Sequence, residues 1–126
     1  MKTGENNSRS PLYQRLEDVI GCKWSVSVLV AVREGTVRPG ALERHISGIS
    51  TKVLSERLRK LVQYGLLSKT TFPEAPPRTE YSLTQTGREL IKIIEQIQKL
   101  DEKHKRAEQA GGAYFLPEAV KKSAHP

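Results

Sequence analysis

Cysteine is nearly absent: the 126 residues hold one, Cys22. A lone thiol excludes an intramolecular disulfide framework, and with His45, His104 and His125 scattered along the chain no Cys/His spacing suits a zinc site. Long apolar runs are missing too. No stretch approaches the ~18 uninterrupted apolar residues of a membrane span, and residues 1–9 contain nothing resembling the apolar core of a signal peptide. The expectation is a soluble cytoplasmic protein with no membrane partner. The parts of an enzyme are also lacking: there is no Gly-rich phosphate loop, no Cys/His or Ser/His pair in a suggestive context, and no paired carboxylates beside an apolar cleft. Neither catalysis, metal nor cofactor is expected. Acids are in short supply, 14 Asp and Glu against 21 Lys and Arg, and the net charge of +7 favours a polyanionic partner, nucleic acid first and an anionic membrane surface second. The length suits one domain, and no internal repeat is present.

What is there is regular. Ser10-Pro11 supplies an N-cap and a first-turn proline for a helix whose Leu12, Leu16, Val19 and Ile20 form one apolar stripe up to Gly21. From Lys23 to Arg33 the apolar residues, Trp24 among them, wrap most of the circumference, which predicts a core helix buried on several sides and stopped at Gly35. Val37 and Arg38 suit a very short strand, and Pro39 opens a brief helix carrying Leu42 and Ile46 and closed near Gly48. Ser50 caps a further helix that ends at Gly65. Its Val53, Leu54, Leu58, Leu61, Val62 and Tyr64 share one arc, and Lys52, Ser55, Glu56, Arg59 and Gln63 the other. Residues 66–72 and 79–83 read as two strands of a hairpin whose proline-rich tip resists both helix and ladder. Thr84 caps a long last helix through Leu90, Ile91, Ile94, Ile97 and Leu100 to about Lys105 or Arg106, and Gly111-Gly112 breaks the pattern before a small apolar patch in the tail.

This order, with a capped helix followed at once by a hairpin, is that of a winged helix-turn-helix, in which the capped helix enters a DNA major groove and the hairpin reaches backbone or minor groove. The fold class expected is α+β, mainly α, with a long C-terminal dimerisation helix. Residues 1–9 are expected to form a flexible arm, residues 10–106 the DNA-binding and dimerisation domain, and residues 107–126 a tail. The capped helix carries four cations, Lys52, Arg57, Arg59 and Lys60, against one acid, Glu56. Membrane-surface binding would need bulky apolar residues beside those cations on the exposed arc, and none is there.

The chain resembles HxlR-type transcriptional regulators, winged-helix proteins related to the MarR group. The likeness spans about residues 10–104 and rests on Val19-Ile20-Gly21-Cys22-Lys23-Trp24, on the run from Ile49 to Leu61, on Tyr64-Gly65-Leu66-Leu67, and above all on the segment from Phe72 to Thr84 followed by Gly87. The resemblance implies a homodimer on palindromic double-stranded DNA, with the first and last helices supplying the interface. Many members carry a cysteine before the first-helix proline and sense oxidants with it. Here that residue is Ser10, so the route is not implied.

Ser50, Thr51, Lys52, Ser55, Glu56 and Arg59 are the candidate major-groove contacts, and Arg78 the candidate backbone or minor-groove contact. Arg78 either projects from the stiff loop toward DNA or pairs with Glu74 or Glu80. Arg57 sits near the apolar edge of its helix and either reaches a phosphate or pairs internally with Glu80 or Glu43. Leu12, Leu16, Leu90, Ile91, Ile94, Ile97 and Leu100 are the candidate dimer contacts. Cys22 reads either as a small inert residue or as a redox-responsive thiol, since helix N-terminal amides and Lys23 would both stabilise its thiolate. Trp24 reads as core. The rival function is a winged-helix protein-interaction module with only non-specific nucleic-acid affinity. The sequence identifies no effector.

Overall fold

The computed structural model describes residues 10–110. The elements run α1 (Pro11–Ile20), α2 (Lys23–Arg33), α3 (Pro39–His45), α4 (Thr51–Gln63), β1 (Leu67–Phe72), β2 (Arg78–Leu83) and α5 (Gln85–Gln109). They divide into two compact units between Lys92 and Ile93.

Local chemistry places most helix starts. Ser10 Oγ accepts the amide of Tyr13 at 3.2 Å ahead of Pro11, and Ser50 Oγ accepts that of Val53 at 3.1 Å, each pairing a donor that the first helical turn leaves over. α2 forms despite four valines, because tertiary burial outweighs the small helix penalty of β-branched residues. Val28, Leu29, Ala31 and Val32 are buried, and α1, α3, α4 and β2 all pack on this helix. α4 lays Leu54, Leu58 and Leu61 into the same core, each at most 3% exposed. Burying one such side chain is worth roughly 1.5–3 kcal/mol, so this stripe decides which way the helix faces.

β1 and β2 are antiparallel, with Leu67 opposite Leu83 and Phe72 opposite Arg78. Val37 and Arg38 form no strand. Instead, the Val37 carbonyl accepts one hydrogen bond, 2.9 Å long, from the Tyr81 amide on the open edge of β2, and Pro39 then turns the chain into α3 before a ladder develops. Trp24 is half-buried rather than enclosed, with the Lys23 ammonium 4.5 Å from its ring centroid.

The junction of α4, wing and α5 is held by backbone approach. Gly65 takes φ +78°, a conformation costly for any residue with a Cβ, and turns the chain into Leu66. Thr84 Oγ1 donates to the Gly65 carbonyl at 2.6 Å while accepting the Gly87 amide at 3.0 Å, so one hydroxyl caps α5 and ties it to the end of α4. The Leu66 carbonyl lies where a Cβ on residue 87 would stand, which explains the glycine there.

α5 continues to Gln109, beyond the expected end near Lys105 or Arg106, because Ala107, Glu108 and Gln109 are all compatible with helix and the first breaker is Gly111. Residues 1–9 and 111–126, with the arm and most of the tail assigned from sequence, lie outside the described residues. The apolar stripe of α5 also divides differently. Leu90, Ile91 and Ile94 are only 2–4% exposed in the single chain and have almost no area left to bury against a second copy. The open apolar residues are Ile93 (47%), Ile97 (46%) and Leu100 (61%). On α1 they are Leu12, Tyr13 and Ile20, with Leu16 half-buried. Ile93 and Tyr13 are open apolar residues outside the stripes read from the sequence, although Ile93 lies three residues after Leu90 and four before Ile97.

Gly87→Ala is expected to destabilise the protein by about 1–3 kcal/mol, the range for forcing extra atoms into a packed site. Gly65→Ala, where the obstacle is φ and not space, is expected to cost about 1–2 kcal/mol. Urea unfolding of both variants beside wild type checks the pair, and a neutral Gly87→Ala would show that the α5 contact with Leu66 is loose.

Candidate nucleic-acid interface

With Leu54, Leu58 and Leu61 turned inward, α4 presents Lys52, Ser55, Arg59 and Gln63 to solvent, while Glu56 is half-buried. Two hydroxyls at the start of this face already have structural partners. Ser50 caps the helix, and Thr51 Oγ1 donates to Glu43 of α3 at 2.6 Å, bracing the turn between the two helices.

The four cations of α4 separate. Lys60 turns toward α1, where its ammonium lies 4.0 Å from Asp18. Asp18 also accepts the Tyr64 hydroxyl at 2.7 Å, and that bond, followed by slight burial, raises the phenol above its ordinary pKa. Arg57 turns the other way and donates from Nη1 to Cys22 Sγ at 3.7 Å, so it pairs internally with the thiol and with neither Glu80 nor Glu43. Lys52 and Arg59 remain on the open face, in no ion pair among the described residues.

Lys69 of β1 joins them. It stands opposite Tyr81 in the register, is exposed, and with Arg59 lines a groove of about 440 Å³ between α4 and the sheet. Leu58, Val62, Pro39 and Tyr81 give the groove an apolar floor, Ser55 and Gln63 add neutral polar groups, and among the described residues no carboxylate lines it. Sequence reasoning passed over Lys69 because it treated the first strand only as scaffold. The signal available was a lone cation amid Ser68, Thr70 and Thr71, polar residues on both faces of a strand.

Arg78 does not project freely. Its Nη1 is 3.2 Å from Glu74 and its Nε 3.2 Å from Glu80, and the guanidinium lies 4.2 Å from the centroid of Phe72. The contact with Glu80 is an ion pair with poor hydrogen-bond alignment, leaving the buried Nε–H without a well-directed acceptor. Of the two alternatives at this residue, the paired one is realised in the free chain.

Cys22 is half-buried at the N-cap of α2, where Sγ makes no formal capping bond. Partial burial pushes the thiol up, but the Ser25 hydroxyl, the amide dipoles of Ser25 and Trp24 and the Arg57 cation together outweigh it, leaving the thiol below its ordinary pKa. Among the described residues no cluster of His, Cys, Asp or Glu is arranged to hold a metal ion, and no helix is long and apolar enough to cross a membrane.

Comparison with known proteins fits this geometry. The family model of the HxlR-like helix-turn-helix matches residues 19–109. The chain belongs to the HxlR-like helix-turn-helix family. A Synechocystis protein named as an uncharacterized HTH-type transcriptional regulator is 41% identical over 87 residues, 69% of this chain and 64% of its own. Another so named from Escherichia coli, YtfH, is 46% identical over 72 residues, 57% of each chain. The matches thus span less than two thirds of the length of these relatives. A solved MarR-family regulator of Enterococcus faecalis superposes with a TM-score of 0.71 at 29% identity, over 86% of this chain and 99% of that one. The fold is therefore a winged helix-turn-helix of the HxlR-like type, with α3 and α4 as the helix-turn-helix, β1 and β2 as the wing and α5 as the long C-terminal helix.

The lowered thiol pKa of Cys22 means that thiolate forms at lower pH than in a free cysteine, so alkylation by iodoacetamide should reach half its limiting rate at a correspondingly lower pH. Ser25→Ala and Arg57→Gln should each move that midpoint upward, Ser25→Ala by more. An unchanged midpoint in both variants would mean that neither side chain sets the thiol and that the backbone amides of Ser25 and Trp24 oppose burial by themselves.

Proposed function

We propose that this chain is a cytoplasmic transcriptional regulator that binds palindromic operator DNA as a homodimer, with α4 in the major groove and the wing on the backbone or in the minor groove. The observation that carries the reading is the open face of α4. Lys52, Ser55 and Arg59 stand clear of the core on a helix whose other cations are tied down, and Lys69 and Arg59 line one groove in which, among the described residues, no carboxylate takes part. A face built this way complements phosphate and the acceptor edges of bases. In this reading Arg59 is the base-reading cation, since arginine pairs in bidentate fashion with guanine. Lys52, in the first turn, serves a phosphate beside the helix N-terminus. Ser55 and Glu56 add hydrogen-bonding groups at the groove, while Ser50 and Thr51 set the angle at which the helix enters. Relatives named as transcriptional regulators support the same role.

The homodimer is favoured by the exposed apolar side chains Ile93, Ile97 and Leu100 on α5 and Leu12, Tyr13 and Ile20 on α1. Apolar residues at three- and four-residue spacing make a helix face that a second copy buries most simply through twofold pairing. A dimer on one side of the duplex would set its two α4 helices about 34–36 Å apart, giving an inverted repeat with half-sites one turn apart.

Against an operator selected from random DNA, Arg59→Ala is expected to lose about 1–3 kcal/mol and to relax preference at one base pair. Lys52→Ala should weaken all duplexes alike and reduce the salt slope by about 0.9. Fluorescence anisotropy titrations at several salt concentrations check both, and unchanged affinity in the two variants would favour a protein-docking role for this surface. In sedimentation equilibrium the wild type should be a dimer at micromolar concentration and Ile97→Asp/Leu100→Asp a folded monomer. A monomeric wild type would sink the dimer.

A further inference from the structure

The loop end of the wing holds charges that the open face of α4 does not use. Arg38, the N-cap residue of α3, and Arg78, the first residue of β2, flank a groove of about 450 Å³ walled by Pro39, Pro76 and Pro77. The two guanidiniums share one carboxylate oxygen: Glu80 Oε2 lies 3.6 Å from Arg38 Nε and 3.2 Å from Arg78 Nε. The bond from the Tyr81 amide to the Val37 carbonyl straps the same two segments together one residue away, so the spacing of the arginines is set by backbone as well as by charge. Glu74 is different. It meets Arg78 Nη1 at 3.2 Å from the proline-rich loop, and its side chain is half exposed where that of Glu80 is two-thirds buried.

We propose that Arg38 and Arg78 form a two-guanidinium grip for a phosphodiester of the DNA backbone, with Glu80 as its fixed strut and Glu74 as a displaceable counter-ion that masks Arg78 in the free protein. The proposal rests on the DNA-binding reading above and adds to it one contact, Arg38, and one brake, Glu74. The physical case is an exchange of acceptors. An exposed carboxylate–guanidinium pair is weak because water and salt screen it, so a phosphate oxygen displaces Glu74 at little cost. Glu80 is retained because it is more buried and serves two cations at once. Stacking on Phe72 keeps the Arg78 guanidinium in place during the exchange, and Pro76 and Pro77 limit the entropy lost in ordering the loop.

Full-length Arg38→Ala, Arg78→Ala, Glu74→Gln and the double variant Glu74→Gln/Arg78→Ala test this in titrations over a salt series, against the duplex that wild type selects from random DNA. Arg38→Ala and Arg78→Ala should each weaken binding about five- to tenfold and reduce the salt slope by about 0.9. Glu74→Gln should tighten wild type about threefold and leave the Arg78→Ala background unchanged. Arg38 is more than half exposed, so its replacement leaves the fold intact. Arg78→Gln, which keeps part of the stack on Phe72, replaces Arg78→Ala if thermal melting shows that variant to be unstable. Wild-type affinity and slope in Arg38→Ala overturn the grip. Equal tightening by Glu74→Gln in both backgrounds reduces Glu74 to a general field effect and overturns its role as counter-ion of Arg78. A wild type that selects no sequence and binds duplex without salt dependence removes the DNA-binding reading itself, and that result is in hand before any variant is measured.

Discussion

Burial of Leu54, Leu58 and Leu61 against α2 is the constraint from which the rest of the interface follows. A helix has one rotational setting that takes all three leucines out of water, and that setting points Lys52, Ser55 and Arg59 outward. The same core is shared by α1, α3 and β2 through their contacts with α2, so the wing and the helix-turn-helix are placed by one apolar centre. The Thr84 hydroxyl, bonded to both Gly65 and Gly87, then fixes how the chain leaves α4 and re-enters as α5.

Charge is sorted on this frame. By composition α4 carries four cations, yet two of them are absorbed by the protein itself, Lys60 by Asp18 and Arg57 by the Cys22 thiol. Lys69 from the neighbouring strand replaces them on the open side. The result is a smaller basic surface than the sequence count suggests, made of residues from two elements, with neutral Ser55 and Gln63 between. Such a surface suits reading a groove better than a uniformly basic one, since hydrogen-bonding groups carry sequence information that charge alone does not.

The wing shows restraint of another kind. Its arginine is flanked by two carboxylates at unequal depth, Glu74 exposed and Glu80 more buried, and is stacked on Phe72. A cation held in this way keeps a defined geometry while its charge is largely neutralised, which limits non-specific attraction to polyanions. The chain's surplus of basic residues makes that limit useful.

The sequence alone determined the elements and their order. Ser10, Ser50 and Gly65 act within a few residues of where they stand, as Thr84 does in capping α5, and the apolar periods of α2 and α4 are local properties, so they are legible without a fold. It also showed that α4 has a polar arc and that a proline-stiffened hairpin follows. Only the tertiary structure decided which charges remain free and which apolar residues remain open. Arg57 and Cys22 are separated by 35 positions, and Tyr64 and Asp18 by 46. Leu90 and Ile97 look alike as heptad neighbours, yet one is buried and the other half exposed. Ion pairs and residual surface depend on packing between distant segments, and helical periodicity, which relates residues three and four apart, carries no information about that distance.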